Sequence, residues 1–172
     1  MNSHLLPNIN TIGIPKNQKN QTFGFNFNDI DEFKKIIKKN KLAAVIMEVS
    51  RLKETNKTFL KQIREITKKK NICLIYDECT SGFRESYGGL YKKYKLKPDI
   101  VVYGKSIANG YPLCAVIGKK TFMKNLEKSF VSSTFWTDRV GYAAAIKTLD
   151  LMKKNKTWIK LKNKGLMIKN IW

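Results

Sequence analysis

Histidine is nearly absent from this chain: His4 stands alone in a polar leading stretch, which removes most triad and metal-hydrolase mechanisms. Three cysteines, Cys73, Cys79 and Cys114, are odd in number and form no Cys-x-x-Cys pair. Neither a zinc site nor a disulfide framework is expected, and no metal is assigned. No apolar run approaches the length of a membrane span. Residues 1–21 are polar and rich in Asn and Lys, unlike a secretory leader, so the sequon Asn56-Lys57-Thr58 carries little weight. The expected compartment is the cytosol. Acidic residues are scarce as well, 13 against 34 basic, for a net charge of +21. Such an excess invites a nucleic-acid reading. Yet the only arginines are Arg51, Arg64, Arg84 and Arg139, and forked contacts to phosphates and base edges favour arginine. The lysines follow the polar faces of helices, so a Lys- and Asn-rich composition is preferred over a specific nucleic-acid surface. Chemistry in this chain must run on Lys, Asp, Glu, Tyr or a cofactor.

What is present is enough for one globular core: 172 residues, 42% of them hydrophobic. Residues 1–25 read as an irregular leading segment. Asp29 can cap a helix through about Lys39, with Ile30, Phe33, Ile36 and Ile37 on one face. Residues 42–49 form an apolar run of strand length, expected to be buried on both faces. Helical period returns over 56–70. Strands are expected over 72–76, ending in Asp77-Glu78, and over 100–103, ending at Gly104-Lys105-Ser106. Asn109-Gly110-Tyr111-Pro112 reads as a turn, with a fourth strand over 113–118. Asp138 can cap a long helix to about Lys154, and a further helical stretch runs to Trp172. This order predicts an α/β fold with a largely parallel sheet sandwiched by helices. Residues 26–155 form its main part. Residues 156–172 form a helix with no stop signal, as expected of a chain cut short of a further domain.

In a parallel sheet, ligands bind beyond the carboxyl ends of the strands. Two such ends carry an acid, Asp77, and an amine, Lys105. On spacing alone the pair carries two readings, a structural ion pair or a site for pyridoxal phosphate. That cofactor needs a lysine for its aldehyde and an acid for its ring nitrogen. The released amine is then well placed to move a proton.

Three stretches resemble the class III aminotransferases, with relatives of glutamate-1-semialdehyde aminomutase nearest in pattern. Leu74-Ile75-Tyr76-Asp77-Glu78-Cys79-Thr80-Ser81-Gly82-Phe83-Arg84 resembles the family's strand ending in Asp-Glu and continuing to Gly-Phe-Arg. Residues 97–112, centred on Tyr103-Gly104-Lys105-Ser106, resemble its lysine motif. Ser132-Ser133-Thr134-Phe135-Trp136-Thr137-Asp138 resembles the segment whose threonine meets the phosphate of a neighbouring subunit's cofactor. The resemblance covers roughly residues 22–155. It implies the large-domain fold of fold-type I enzymes, in part, with pyridoxal 5'-phosphate as cofactor. Lys105 is the implied Schiff-base lysine and proton carrier, and Asp77 the partner of the ring nitrogen. Cys79 stands beneath the ring where the family usually has Val or Ile, and Thr134 reaches a second subunit. The implied activity is amino-group transfer between a small amino donor and a carbonyl acceptor, as transaminase or aminomutase, in a homodimer. Glu78 and Arg84 match the motif in a supporting role.

The family's Gly-Ser/Thr phosphate loop and stacking aromatic residue have no counterpart before Asp77, and its small C-terminal domain none after Trp172. The chain alone is therefore expected to hold the cofactor poorly. The alternative is an inactive truncated chain that keeps the fold without binding cofactor. A P-loop ATPase is a less favoured reading: the cradle needs a glycine where Asp99 stands, and the motif order is reversed. A Schiff-base aldolase would not need the threonine segment.

Overall fold

The computed structural model describes residues 15–18, 21–50 and 55–172. Other residues, His4 and Arg51 among them, lie outside the described part, as does most of the leading segment. The chain divides into two compact units, residues 1–42 and 43–172.

The first unit holds helix α1, Ile30–Lys39, which begins as the sequence predicts. Asp29 is its N-cap, and the carboxylate accepts the Glu32 N–H at 2.8 Å. Phe33 and Ile37 are its buried residues, and Phe33 packs on Phe25 with ring centroids 5.1 Å apart.

The second unit is a four-stranded sheet with helices, in the order β1 (Ala44–Glu48), α2 (Lys57–Lys69), β2 (Cys73–Asp77), α3 (Leu90–Tyr94), β3 (Ile100–Tyr103), β4 (Ala115–Gly118), α4 (Lys120–Met123), α5 (Arg139–Asn155) and α6 (Thr157–Lys169). The strands lie in sequence order across the sheet. β1–β2 and β2–β3 are parallel and β3–β4 is antiparallel, so the sheet is largely parallel as expected. Among the described residues, no helix is long and apolar enough to cross a membrane.

Alternation along each strand decides the layers. Val45, Met47, Leu74, Tyr76, Val101 and Tyr103 face one side and are buried. α2 covers part of that side through Phe59, Leu60 and Ile63. The opposite face is more open, and here the expectation for residues 42–49 needs correction. β1 is an edge strand with Ile46 62% exposed, so it buries one face only. An apolar run marks a strand; it does not say how many layers cover it. Two short helices, α3 and α4, were not expected from the sequence.

Asp99, in the turn before β3, staples the elements at the end of the sheet away from the Asp77 and Lys105 termini. Its carboxylate accepts from Arg64 of α2 at 2.8 Å, from Lys119 after β4 at 2.6 Å and from the Leu74 N–H of β2 at 2.9 Å. Burial alone would raise this carboxyl, but these hydrogen bonds outweigh it and hold it below its ordinary range.

Candidate functional site

Asp77 closes β2 and Lys105 follows β3. Because the two strands are parallel, with Asp77 beside Val102, both residues fall at one edge of the sheet. This is the edge at which open α/β sheets hold ligands. The loop after Asp77 is built around Glu78, whose side chain is fully buried. One carboxylate oxygen accepts the Tyr91 N–H at 3.0 Å and thereby starts α3; the other accepts the Ser81 hydroxyl at 2.5 Å. Burial pushes this carboxyl above its ordinary range, against the pull of its hydrogen bonds. Glu78 thus has the supporting role expected of it. The backbone turns tightly after it, with the Gly82 N–H donating to the Glu78 carbonyl at 2.7 Å. A Cβ at Gly82 would lie 2.7 Å from that oxygen and 2.8 Å from the Tyr103 ring, so no side chain fits there.

The β3 exit is fastened to the same loop. Ser106 donates its hydroxyl to the Gly82 carbonyl at 2.7 Å. Lys105, between Gly104 and Ser106, has a φ of +45°, a left-handed conformation uncommon for a residue with a side chain. Its amine is exposed to solvent and donates to the Thr80 hydroxyl at 2.9 Å. Beside it, Lys105, Ser106, Arg84, Asn109, Gly110 and Tyr111 line an open cleft of about 420 Å³.

Cys79 follows the acid in the same loop. Its N–H donates to Asp77 Oδ1 at 2.9 Å, which fixes the orientation of that carboxylate. Burial, then the adjacent Asp77 carboxylate, push the Cys79 thiol up to about 11, against a smaller opposing pull from Lys105. The thiol therefore stays neutral and behaves as a small apolar group, not a nucleophile. Cys114, just before β4, is close as well: a Cβ on Gly104 would lie 3.2 Å from Cys79 Sγ and 3.3 Å from Cys114 Sγ. With no Cβ at 104, the Gly104 backbone approaches both free thiols.

The structure thus brings Asp77, Cys79 and Lys105 together. Thr134 does not line the cleft and lies in an exposed turn with exposed Phe130, Phe135 and Trp136 nearby in sequence. Sequence reasoning missed Thr80 and Cys114. No residue-level pattern marks Thr80 as the partner of Lys105: the contact depends on where the following strand delivers the lysine.

The chain matches the family model described as aminotransferase class-III over residues 3–170. It is 35% identical to the 3-aminobutyryl-CoA aminotransferase of Cloacimonas acidaminovorans over 84% of this chain and 37% of that protein. It is 37% identical to the glutamate-1-semialdehyde 2,1-aminomutase of Nitrosopumilus maritimus over 90% of this chain and 39% of that protein. Among solved structures, an omega-transaminase from Sphaerobacter thermophilus superposes with a TM-score of 0.68 at 30% identity, covering 73% of this chain and 31% of that one. The chain spans under two fifths of the length of each.

Proposed function

Because this chain belongs to the class III aminotransferase family, we propose that residues 26–155 carry the acid, the amine and the ring floor of a pyridoxal-phosphate site for amino-group transfer. The observation that carries this reading is the placement of Asp77 and Lys105 at one sheet edge, with the Cys79 N–H on the Asp77 carboxylate and the Lys105 amine on the neighbouring Thr80 hydroxyl.

The residues fit the group. The Asp77 carboxylate, oriented by the Cys79 N–H, is suited to hold a proton on a ring nitrogen. The neutral Cys79 thiol, close to the Gly104 backbone where a Cβ would crowd it, is a small apolar group suited to face a planar ring. The Lys105 amine, exposed and held by Thr80, is suited to engage an aldehyde and, once released, to carry a proton to and from the substrate. When bound, pyridoxal phosphate supplies an electron-withdrawing ring that stabilises negative charge on the substrate carbon.

Thr134 meets the phosphate of a second copy in this reading, which makes the working form a homodimer. Its exposure among aromatic side chains agrees with a contact to another chain. The relatives' names include both an aminotransferase and an aminomutase, so the reaction class proposed is amino-group transfer from a small amino donor to a carbonyl carbon, between molecules or within one.

The test is titration of the purified chain with pyridoxal 5'-phosphate, then borohydride reduction and peptide mapping. Since this chain by itself is expected to hold the cofactor poorly, the expected result is a weak visible band that grows only at high cofactor concentration, with the reduced adduct enriched at Lys105 over the other lysines. Adducts scattered over the lysine-rich surface, with none enriched at Lys105, would instead support a chain that keeps the fold without a working site.

A further inference from the structure

We propose that Thr80 is a positioning residue: its hydroxyl holds the Lys105 amine, whenever that amine is not covalently engaged, beside Cys79 and Asp77. The inference rests on the assignment of Lys105 above and adds a residue to it. The direct observation is the 2.9 Å hydrogen bond from Lys105 Nζ to Thr80 Oγ1.

What makes this more than a chance surface contact is how firmly both partners are held. Thr80 lies within a closed turn. The Arg84 Nε donates to the Thr80 carbonyl at 2.5 Å, and the Gly82 N–H donates to the Glu78 carbonyl at 2.7 Å. That turn starts at Glu78, whose fully buried carboxylate also accepts the Ser81 hydroxyl. On the lysine side, Ser106 ties its own hydroxyl to Gly82 of the same turn at 2.7 Å. The backbone positions that carry donor and acceptor therefore share one hydrogen-bonded frame. Threonine is β-branched, so few side-chain rotamers are open to it, and its hydroxyl direction is restricted. Lysine is the opposite case, a flexible four-carbon stem that loses much rotamer freedom when it is ordered. One fixed acceptor limits that search. It also explains why a lysine with an uncommon left-handed backbone still points into the loop that follows the strand-ending acid.

The test compares the full chain with its Thr80→Val and Thr80→Ser variants, using pyridoxal 5'-phosphate as probe at fixed pH. Condensation joins the Lys105 nitrogen to the aldehyde carbon and releases one water. Borohydride then adds hydride to that carbon and leaves a stable C–N bond that peptide mapping can locate. Thr80→Val should slow fixation at Lys105 about tenfold, the order expected for loss of one oriented hydrogen bond. Fixation at surface lysines and the thermal midpoint should not change. Thr80→Ser, which keeps the hydroxyl, should restore most of the rate, a rescue that a purely structural role would not produce. Thr80→Ala repeats the comparison should Val disturb the turn. Equal rates at Lys105 in all forms would overturn the positioning role and leave the lysine assignment intact. Absence of fixation at Lys105 in the unaltered chain would overturn both.

Discussion

Lys105→Ala should leave no cofactor adduct at the β3 exit, and Lys105→Arg should fail equally, because a guanidinium does not deprotonate to become a nucleophile. Peptide mapping after borohydride checks both; fixation rates at other lysines, unchanged, serve as the internal control. Glu78 offers a separate test with a defined sign. Its folded-state carboxyl is raised by burial, so the folded chain binds its proton more tightly than the unfolded chain does. The stability it contributes is full below the ordinary carboxylate range and is lost as pH rises through the raised value. Glu78→Gln should therefore flatten that part of the stability profile in urea titrations run across pH. At this scale Asp77 and Lys105 were legible because each ends an apolar run, a position with a physical meaning in a parallel sheet. Thr80 was not legible, because its role depends on where the next strand delivers a side chain. Nor could the sequence say whether the thiol of Cys79 is reactive; burial and the neighbouring carboxylate decide that it is neutral.

The elements depend most visibly on Asp99. Asp99→Asn removes the charge that pairs with Arg64 and Lys119 and leaves the poorly exposed Arg64 guanidinium without its counter-charge. Destabilisation of about 3 kcal/mol is expected, the order found when one partner of a buried ion pair is removed. Chemical denaturation would measure it. Because this carboxyl is held below its ordinary range, its contribution is present above that range and lost as pH falls through the lowered folded value. The variant should accordingly lose less stability on acidification than the parent. Helices α1 and α5 were legible from Asp29 and Asp138, capping side chains placed just ahead of a periodic run, and α2 from its apolar period alone. Asp29, Asn56 and Asp138 each accept backbone N–H groups at the start of their helix. α3 was not: its five residues, Leu90–Tyr94, are too few to carry a period, and its first turn is fastened by Glu78 from far along the chain. The coverage of β1 was misjudged because an apolar strand does not encode what packs against its second face.

The whole chain combines a net charge of +21 with large apolar side chains in water. Phe130 is 97% exposed, Ile171 81% and Trp172 fully exposed. Mutual repulsion keeps copies apart at low ionic strength, whereas added salt screens that repulsion and leaves the apolar contacts. Light scattering of the purified chain should therefore rise with sodium chloride concentration; scattering that falls instead would mean that charge pairing, not apolar contact, drives association. The direction of β4 has a different kind of consequence. Because it runs antiparallel to β3, the chain leaves the sheet after Tyr103 and returns to it at Ala115 on the same side. Residues 104–114 consequently form an arch with both feet planted beside the Asp77–Lys105 group, carrying Asn109, Gly110 and Tyr111 of the cleft at its crown. Lengthening or shortening that crown would reshape what the cleft admits while the two strands, and the lysine at the first foot, keep their places. Variation in substrate choice could be written into this one arch without re-registering the sheet.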